Sequence, residues 1–223
     1  MIQAQTLQFL SALKENNNKS WFDTNRKTYE IAKKNFADVV QELIKGIEKF
    51  DKGIEEAQLE VKNCTFRINR DVRFSKNKDP YKTNFGASFS KGGKKAHSAG
   101  YYLHIDPNEC FLAGGIWMPE PNELKKIRVE IDYNFDEFSN IINTESFKNI
   151  FPNGLDREAA TVRPPKGYDD ANPAIELIKL KSFTASSIVD SKEILKPNFT
   201  ETVLEGFKTM YPYIAFLNRA IEG

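Results

Sequence analysis

Cysteine and histidine are scarce in this chain, which holds two of each in 223 residues. Cys64 and Cys110 form no Cys-x-x-Cys pair and have no histidine beside them, so neither a zinc site nor a disulfide framework is indicated. Two buried thiols on strands are expected. With only His97 and His104, a multi-histidine metal centre is impossible, although a carboxylate site with one histidine stays open. No metal and no cofactor are expected. Long apolar runs are also missing: no stretch approaches the roughly 18 consecutive apolar residues of a membrane span. The opening residues, Met1 to Thr6, have no basic or apolar leader pattern, so the expectation is a cytoplasmic protein with no membrane partner. The absence of repeats and low-complexity runs excludes solenoids, coiled-coil arrays and long disordered tails. Catalytic signatures are incomplete. Gly86-x-Ser88-x-Ser90 lacks the closing glycine of a nucleophile elbow, and Gly92-Gly93-Lys94 lacks the spacing of a phosphate-binding loop.

What the chain does have is apolar content of 40%, enough to bury a sizeable core, and ordinary numbers of Gly (12) and Pro (10). A single globular domain over residues 1–223 is expected. Net charge is only +1, but it is unevenly spread. Lys62 to Lys95 holds ten basic residues and two Asp, a local +8, which leaves 22 basic and 29 acidic residues, −7, elsewhere. That asymmetry points to an anionic partner, and a solvated hairpin would also produce it.

The centre of this segment, Cys64 to Lys82, predicts a strand that breaks into a basic loop. Cys64, Phe66, Ile68, Val72 and Phe74 share one parity and should face the core, while Arg67, Asn69, Asp71 and Arg73 take the other face. Arg70 falls on the apolar parity. There it needs a carboxylate, carbonyls, an anionic ligand or a bulge, and an internal partner is the commoner solution.

Taken in order, Thr6 is placed to cap a first helix with Leu7, Leu10 and Leu13, which stops at Asn16-Asn17-Asn18. Ser20-x-x-Asp23 resembles a capping box before a long helix carrying Tyr29, Phe36, Val40, Leu43 and Ile47. Trp21 and Phe22 are expected in the core, with a pocket lining as the alternative. Strands are predicted over Phe85 to Ser90, Gly100 to Asp106, Cys110 to Ile116 and Phe183 to Val189. The first three are joined by connections too short for parallel crossovers, so an antiparallel meander follows. Tyr101, Leu103 and Ile105 share one face; Tyr102, His104 and Asp106 share the other. Pro119 suits the first position of a helix with Leu124, Ile127 and Ile131, and Gly114-Gly115 before it is a weak anion cradle that Glu120 and Glu123 oppose. Short helices are predicted around Phe135 to Ile142 and Glu145 to Phe151. Arg163-Pro164-Pro165-Lys166-Gly167 is an irregular loop, Asn172-Pro173 opens a helix through Ile178, and Asn198 caps a final helix with Val203, Phe207, Met210, Ile214 and Leu217 buried. The fold class is α+β: an antiparallel or mixed sheet of about five strands covered by helices, with long N- and C-terminal helices.

Two sets of residues could carry chemistry. His104, flanked on its face by Tyr102 and Asp106, is the candidate general base; the plainer alternative is a half-buried histidine bonded to backbone. Arg67, Arg70, Arg73, Lys76, Lys78 and Lys82, with Tyr81 and Tyr102, form a candidate anion site, in which guanidinium groups hold a phosphate bidentately and Ser75, Thr83 and Asn84 add neutral donors.

The run Phe66-Arg67-Ile68-Asn69-Arg70-Asp71-Val72-Arg73-Phe74-Ser75-Lys76-x-Lys78-x-Pro80-Tyr81-Lys82-Thr83 resembles the signature of a family known as domain of unknown function 2461, found mainly in bacteria and some fungi. Asn16-Asn17-Asn18 with Trp21-Phe22, Gly100-Tyr101-Tyr102-Leu103-His104-Ile105, Gly114-Gly115-Ile116-Trp117-Met118-Pro119 and Arg163-Pro164-Pro165-Lys166-Gly167-Tyr168 extend the resemblance along nearly the whole chain. The resemblance implies no activity, ligand or catalytic residue. Asn69 departs from the pattern, standing where an aromatic residue between the arginines is expected.

The functional expectation is a module that binds a phosphate-bearing ligand, either a nucleotide-like small molecule or nucleic acid, through the basic segment. One alternative is an enzyme acting on an anionic substrate with His104 as base. Another is a scaffold for an acidic protein partner.

Overall fold

The computed structural model describes residues 1–223 and contains ten helices and four strands. Five helices come first: α1 (Ala4–Glu15), α2 (Lys19–Thr24), α3 (Arg26–Ile47), α4 (Lys52–Ala57) and α5 (Val61–Cys64). Strands β1 (Phe85–Phe89), β2 (Gly100–Ile105) and β3 (Cys110–Ile116) follow, then α6 (Pro121–Tyr133), α7 (Phe135–Asn143), α8 (Glu145–Ile150) and α9 (Ile175–Ile178). Strand β4 (Phe183–Val189) and the 24-residue α10 (Phe199–Glu222) complete the chain.

The sheet is antiparallel throughout, in the order β1-β2-β3-β4. Alternation along β2 and β3 sends Tyr101, Leu103, Ile105, Leu112 and Ile116 into the core, where α10 and α3 pack. Those two helices have apolar residues at three- and four-residue spacing, so each turns one continuous stripe inward: Phe36, Val40, Leu43 and Ile47 on α3, and Val203, Phe207, Met210, Ile214 and Leu217 on α10. The fold is α+β, with one sheet face covered by helices. No helix is long and apolar enough to cross a membrane.

The expected strand from Cys64 to Phe74 does not form. Cys64 ends α5, so only Cys110 of the two buried thiols lies on a strand. Beyond it, the chain touches the edge of β1 once, at Thr65 opposite Ala87, with Phe66 N donating to Gly86 O at 3.0 Å. It then pairs with itself: Arg70 N donates to Pro80 O at 2.9 Å and Lys82 N to Ile68 O at 2.8 Å, which closes an irregular hairpin with its tip at residues 71–79. Period-two alternation keeps side chains inward only while a ladder holds the strand on the sheet, and here the ladder stops after one bridge. Cys64 and Ile68 are buried, but Phe66 is 37% exposed and Phe74 is 97% exposed.

Three helix starts also differ from expectation. Thr6 lies within the first turn of α1, and its hydroxyl donates to Asn35 Oδ1 at 2.8 Å. The same oxygen accepts from Gln3 N at 2.9 Å, so a side chain of α3 satisfies the start of α1. Asn18, not Ser20, caps α2 by accepting from Trp21 N, and α3 begins separately after Asn25. At α6 the first helical proline is Pro121, behind a capping box made by Glu120 and Glu123.

Candidate functional site

The face of the sheet turned away from the helices carries no helix. Its residues form rows across the strands: Gly100, Gly115 and Thr184 in the first, then Ser88, Tyr102, Ala113 and Ser186, then Gly86, His104, Phe111 and Ile188. The first two rows have small side chains apart from Tyr102, so the sheet surface is low there. Gly115 is obligatory, because its φ is +120° and a Cβ would fall 1.8 Å from Phe183 O.

The two sheet edges raise walls beside this low floor. On the β1 side, the Thr65 bridge brings Phe66 over Tyr102, with ring centres 6.3 Å apart. On the β4 side, Leu155 bridges Ala185 and Asp156 N donates to Thr184 O at 2.8 Å, which places Asp156, Glu158 and Ala159 along the rim. Trp117, 67% exposed just after β3, closes one end. The result is a cleft of about 650 Å3, within the usual range of small-molecule sites. A hollow of similar volume, about 670 Å3, lies along α1 against Pro107 and Leu195 and contains none of the candidate residues.

Tyr102 lines the cleft, and His104 stands in the next row. The Tyr102 hydroxyl and Asn84 Nδ2 both lie 3.1 Å from His104 Nδ1, and the imidazole stacks on Phe111 with ring centres 4.6 Å apart. An amide nitrogen can only donate, so Nδ1 accepts and the ring proton sits on Nε2. Burial holds His104 below the usual imidazole range, an effect that Asp106 and Glu109 only partly offset. The ring is therefore neutral at pH 7, and its basic nitrogen is already bonded.

The basic residues divide into two groups. Arg73, Lys76 and Lys78 lie on the exposed hairpin tip. Arg73 is paired with Asp71 at 2.7 Å, a bond that holds the Asp71 carboxyl below its usual range, and Lys78 Nζ donates to Val72 O at 3.0 Å. Arg70 is half-buried and satisfied within the hairpin, donating to Asp79 O at 3.3 Å and Ser75 Oγ at 3.4 Å. Its partner is thus a carbonyl and a hydroxyl, and no carboxylate is involved.

Arg67 and Lys82 stand at the base of the hairpin, beside the cleft wall. Lys82 Nζ is 5.3 Å from the centre of the Phe66 ring, and neither cation forms a salt bridge. Burial, then repulsion from Arg67, hold the Lys82 ammonium below its usual range. Tyr81 does not reach the cleft: its ring stacks on Phe22 at 4.0 Å, and Asn17 pairs with its backbone in both directions at 3.0 and 3.1 Å. This residue anchors the hairpin to the α1–α2 turn. Phe22 is correspondingly buried and Trp21 half-buried against Phe9.

The family described as Conserved hypothetical protein (DUF2461) matches residues 5–216 of the chain. The chain belongs to this family. No curated protein and no solved structure matches the chain. The DUF2461 match takes in the cleft, the hairpin and the His104 row alike.

Sequence reasoning points to the cleft only through Tyr102, whose polar face of β2 is where a site is expected, and misses the rest of it. Ser88, Ala113 and Ser186 come from three strands, and Asp156 and Trp117 from loops. The one available signal was parity, since Ser88 and Ser186 both fall on the non-core face of their strands.

Proposed function

We propose that this protein is a binding module for a small ligand carrying a phosphate or comparable anionic group, received by Arg67 and Lys82 beside the sheet cleft. The observation that supports this reading is the placement of Lys82. It is a partly desolvated ammonium next to another cation, with no carboxylate paired to either. Such a pair is electrostatically unfavourable alone and is relieved by an anion, whereas the cations at the hairpin tip already have partners or full solvent. A concave site favours a small ligand over a nucleic-acid strand.

The enzyme alternative draws less support, because His104 Nδ1 is occupied by two donors and only an Nε2 proton is left to offer. The test is a titration of a nucleotide panel and of single-stranded DNA and RNA at two salt concentrations. Saturable nucleotide binding with a salt slope of roughly one or two charges supports the reading, and Arg67→Ala and Lys82→Ala should each weaken it roughly tenfold. A slope of about six or more charges transfers the function to nucleic acid. Binding to none of the ligands leaves an acidic protein as the partner to seek.

A further inference from the structure

The cleft differs chemically from the cation pair beside it. Its one basic lining residue, Lys94, is tied to the backbone by two of its three N–H groups: Nζ donates to Lys62 O at 2.5 Å and Thr65 O at 2.6 Å. The other charged groups are the carboxylates of Asp156 and Glu158. Thr184 Oγ1 donates to Asp156 Oδ2 at 2.7 Å, which leaves Oδ1 as a free acceptor. Ser98 Oγ is closed off from solvent and has no hydrogen-bond partner, which is costly for a hydroxyl unless something else supplies one. Ser88 and Ser186 stand in the same row of the floor, on either side of Tyr102 and Ala113. Aromatic surface rises from Phe66 on the β1 side, beside Tyr102, and from the exposed indole of Trp117 at one end.

Free hydroxyls able to donate and accept, a carboxylate that only accepts, and flat aromatic surface, with the one lining cation tied to backbone carbonyls, select a particular ligand. It must have many hydroxyl groups to exchange hydrogen bonds with the floor and with Asp156. It must also have an apolar C–H face to lie on an aromatic ring, and it must bring no negative charge near Asp156 and Glu158. A sugar ring has all three properties. We propose that the cleft between Phe66 and Trp117 is a binding site for an uncharged polyhydroxylated ligand of the sugar class. The hydroxyls of the ligand are met by Asp156, Ser88 and Ser186, and its C–H face by Trp117. The inference stands on the cleft alone. If the neighbouring Arg67 and Lys82 also hold an anion, the two sites together take a sugar phosphate, with the phosphate on the Phe66 side.

The experiment is a titration of the full chain with a panel of neutral mono- and disaccharides and the same monosaccharides bearing one phosphate, followed by ligand-observed NMR. Saturable binding of at least one neutral sugar is expected. Trp117→Ala and Asp156→Asn should each weaken it tenfold or more, and Trp117→Phe should keep most of it. Both positions are accessible from the cleft, and the amide oxygen can still accept from Thr184, so circular dichroism should show unchanged folding. Arg67→Ala with Lys82→Ala should leave neutral-sugar affinity unchanged and remove any extra affinity of the phosphorylated sugars. Failure to bind any neutral sugar, or binding that survives both Trp117→Ala and Asp156→Asn, overturns the inference. If the unsubstituted chain binds phosphorylated sugars no more tightly than the neutral ones, with neutral binding intact, the sugar site is upheld and the anionic reading fails.

Discussion

The hydroxyl of Tyr102 occupies the space that a side chain at Gly86 would fill: a Cβ there would come within 2.6 Å of it. Gly86 pairs with His104 across β1 and β2, so the glycine lets the tyrosine lean one row along the sheet and bond His104 Nδ1. Gly86→Ala should fold, since only the far end of a side chain must shift, but it should displace the Tyr102 hydroxyl. Losing a donor to the unprotonated nitrogen destabilises the neutral ring, so the His104 pKa should rise. An NMR titration reads this directly, and an unchanged midpoint would mean that Tyr102 does not bond the imidazole.

His104 should also leave a mark on stability. Its folded pKa lies below the ordinary 6.5, chiefly through burial. The unfolded chain therefore binds the proton more readily, and stability that is complete above pH about 6.5 is lost as pH falls through the folded value. Urea midpoints measured from pH 8 to 5 should decline in that window for the native chain. His104→Gln should flatten that part of the curve, and an equally steep decline in the variant would assign it to other groups.

Arg70 carries less than its sequence position implies. A buried arginine stripped from a carboxylate costs about 3 to 5 kcal/mol. Here the guanidinium is half-buried and bonds one carbonyl and one hydroxyl, both at long distances. Arg70→Ala should cost only about 1 kcal/mol in chemical denaturation. A loss of 3 kcal/mol or more would require a buried charged partner.

Tyr101 is the opposite case. Its hydroxyl donates to Asp51 Oδ2 at 2.8 Å with both residues buried, while Asp51 Oδ1 accepts from Gly53 N and Ile54 N at the start of α4. Tyr101→Phe removes the donor and leaves a buried carboxylate oxygen unpaired, at a cost of about 1 to 3 kcal/mol. A stability unchanged within error would show that water reaches Asp51.

The strands were legible because each has a partner. Cys110 to Ile116 alternates buried and half-buried residues throughout, Phe183 to Val189 does so apart from Ser187 and Ile188, and the structure places both strands on those residues. The segment after Cys64 has the same alternation in Phe66, Ile68 and Phe74 but no ladder to hold it, and single-sequence periodicity does not report whether a partner strand is available. Helix starts failed where a distant side chain took over, as Asn35 does for Gln3. Apart from Tyr102, the cleft was illegible for a related reason. Its floor is a row of small residues from separate strands, and its walls exist only because two short segments, at Thr65 and Leu155, bridge the sheet edges.

The central claim is that Arg67 and Lys82 form an anion site opening on the sheet cleft. Chemical-shift mapping of the labelled protein during titration with a nucleotide and sugar-phosphate panel tests it most directly. The expected result is a saturating set of shifts at Phe66, Arg67, Lys82 and Tyr102, with the hairpin tip around Phe74 unmoved. No shifts with any ligand, or shifts confined to Arg73, Lys76 and Lys78, would contradict it.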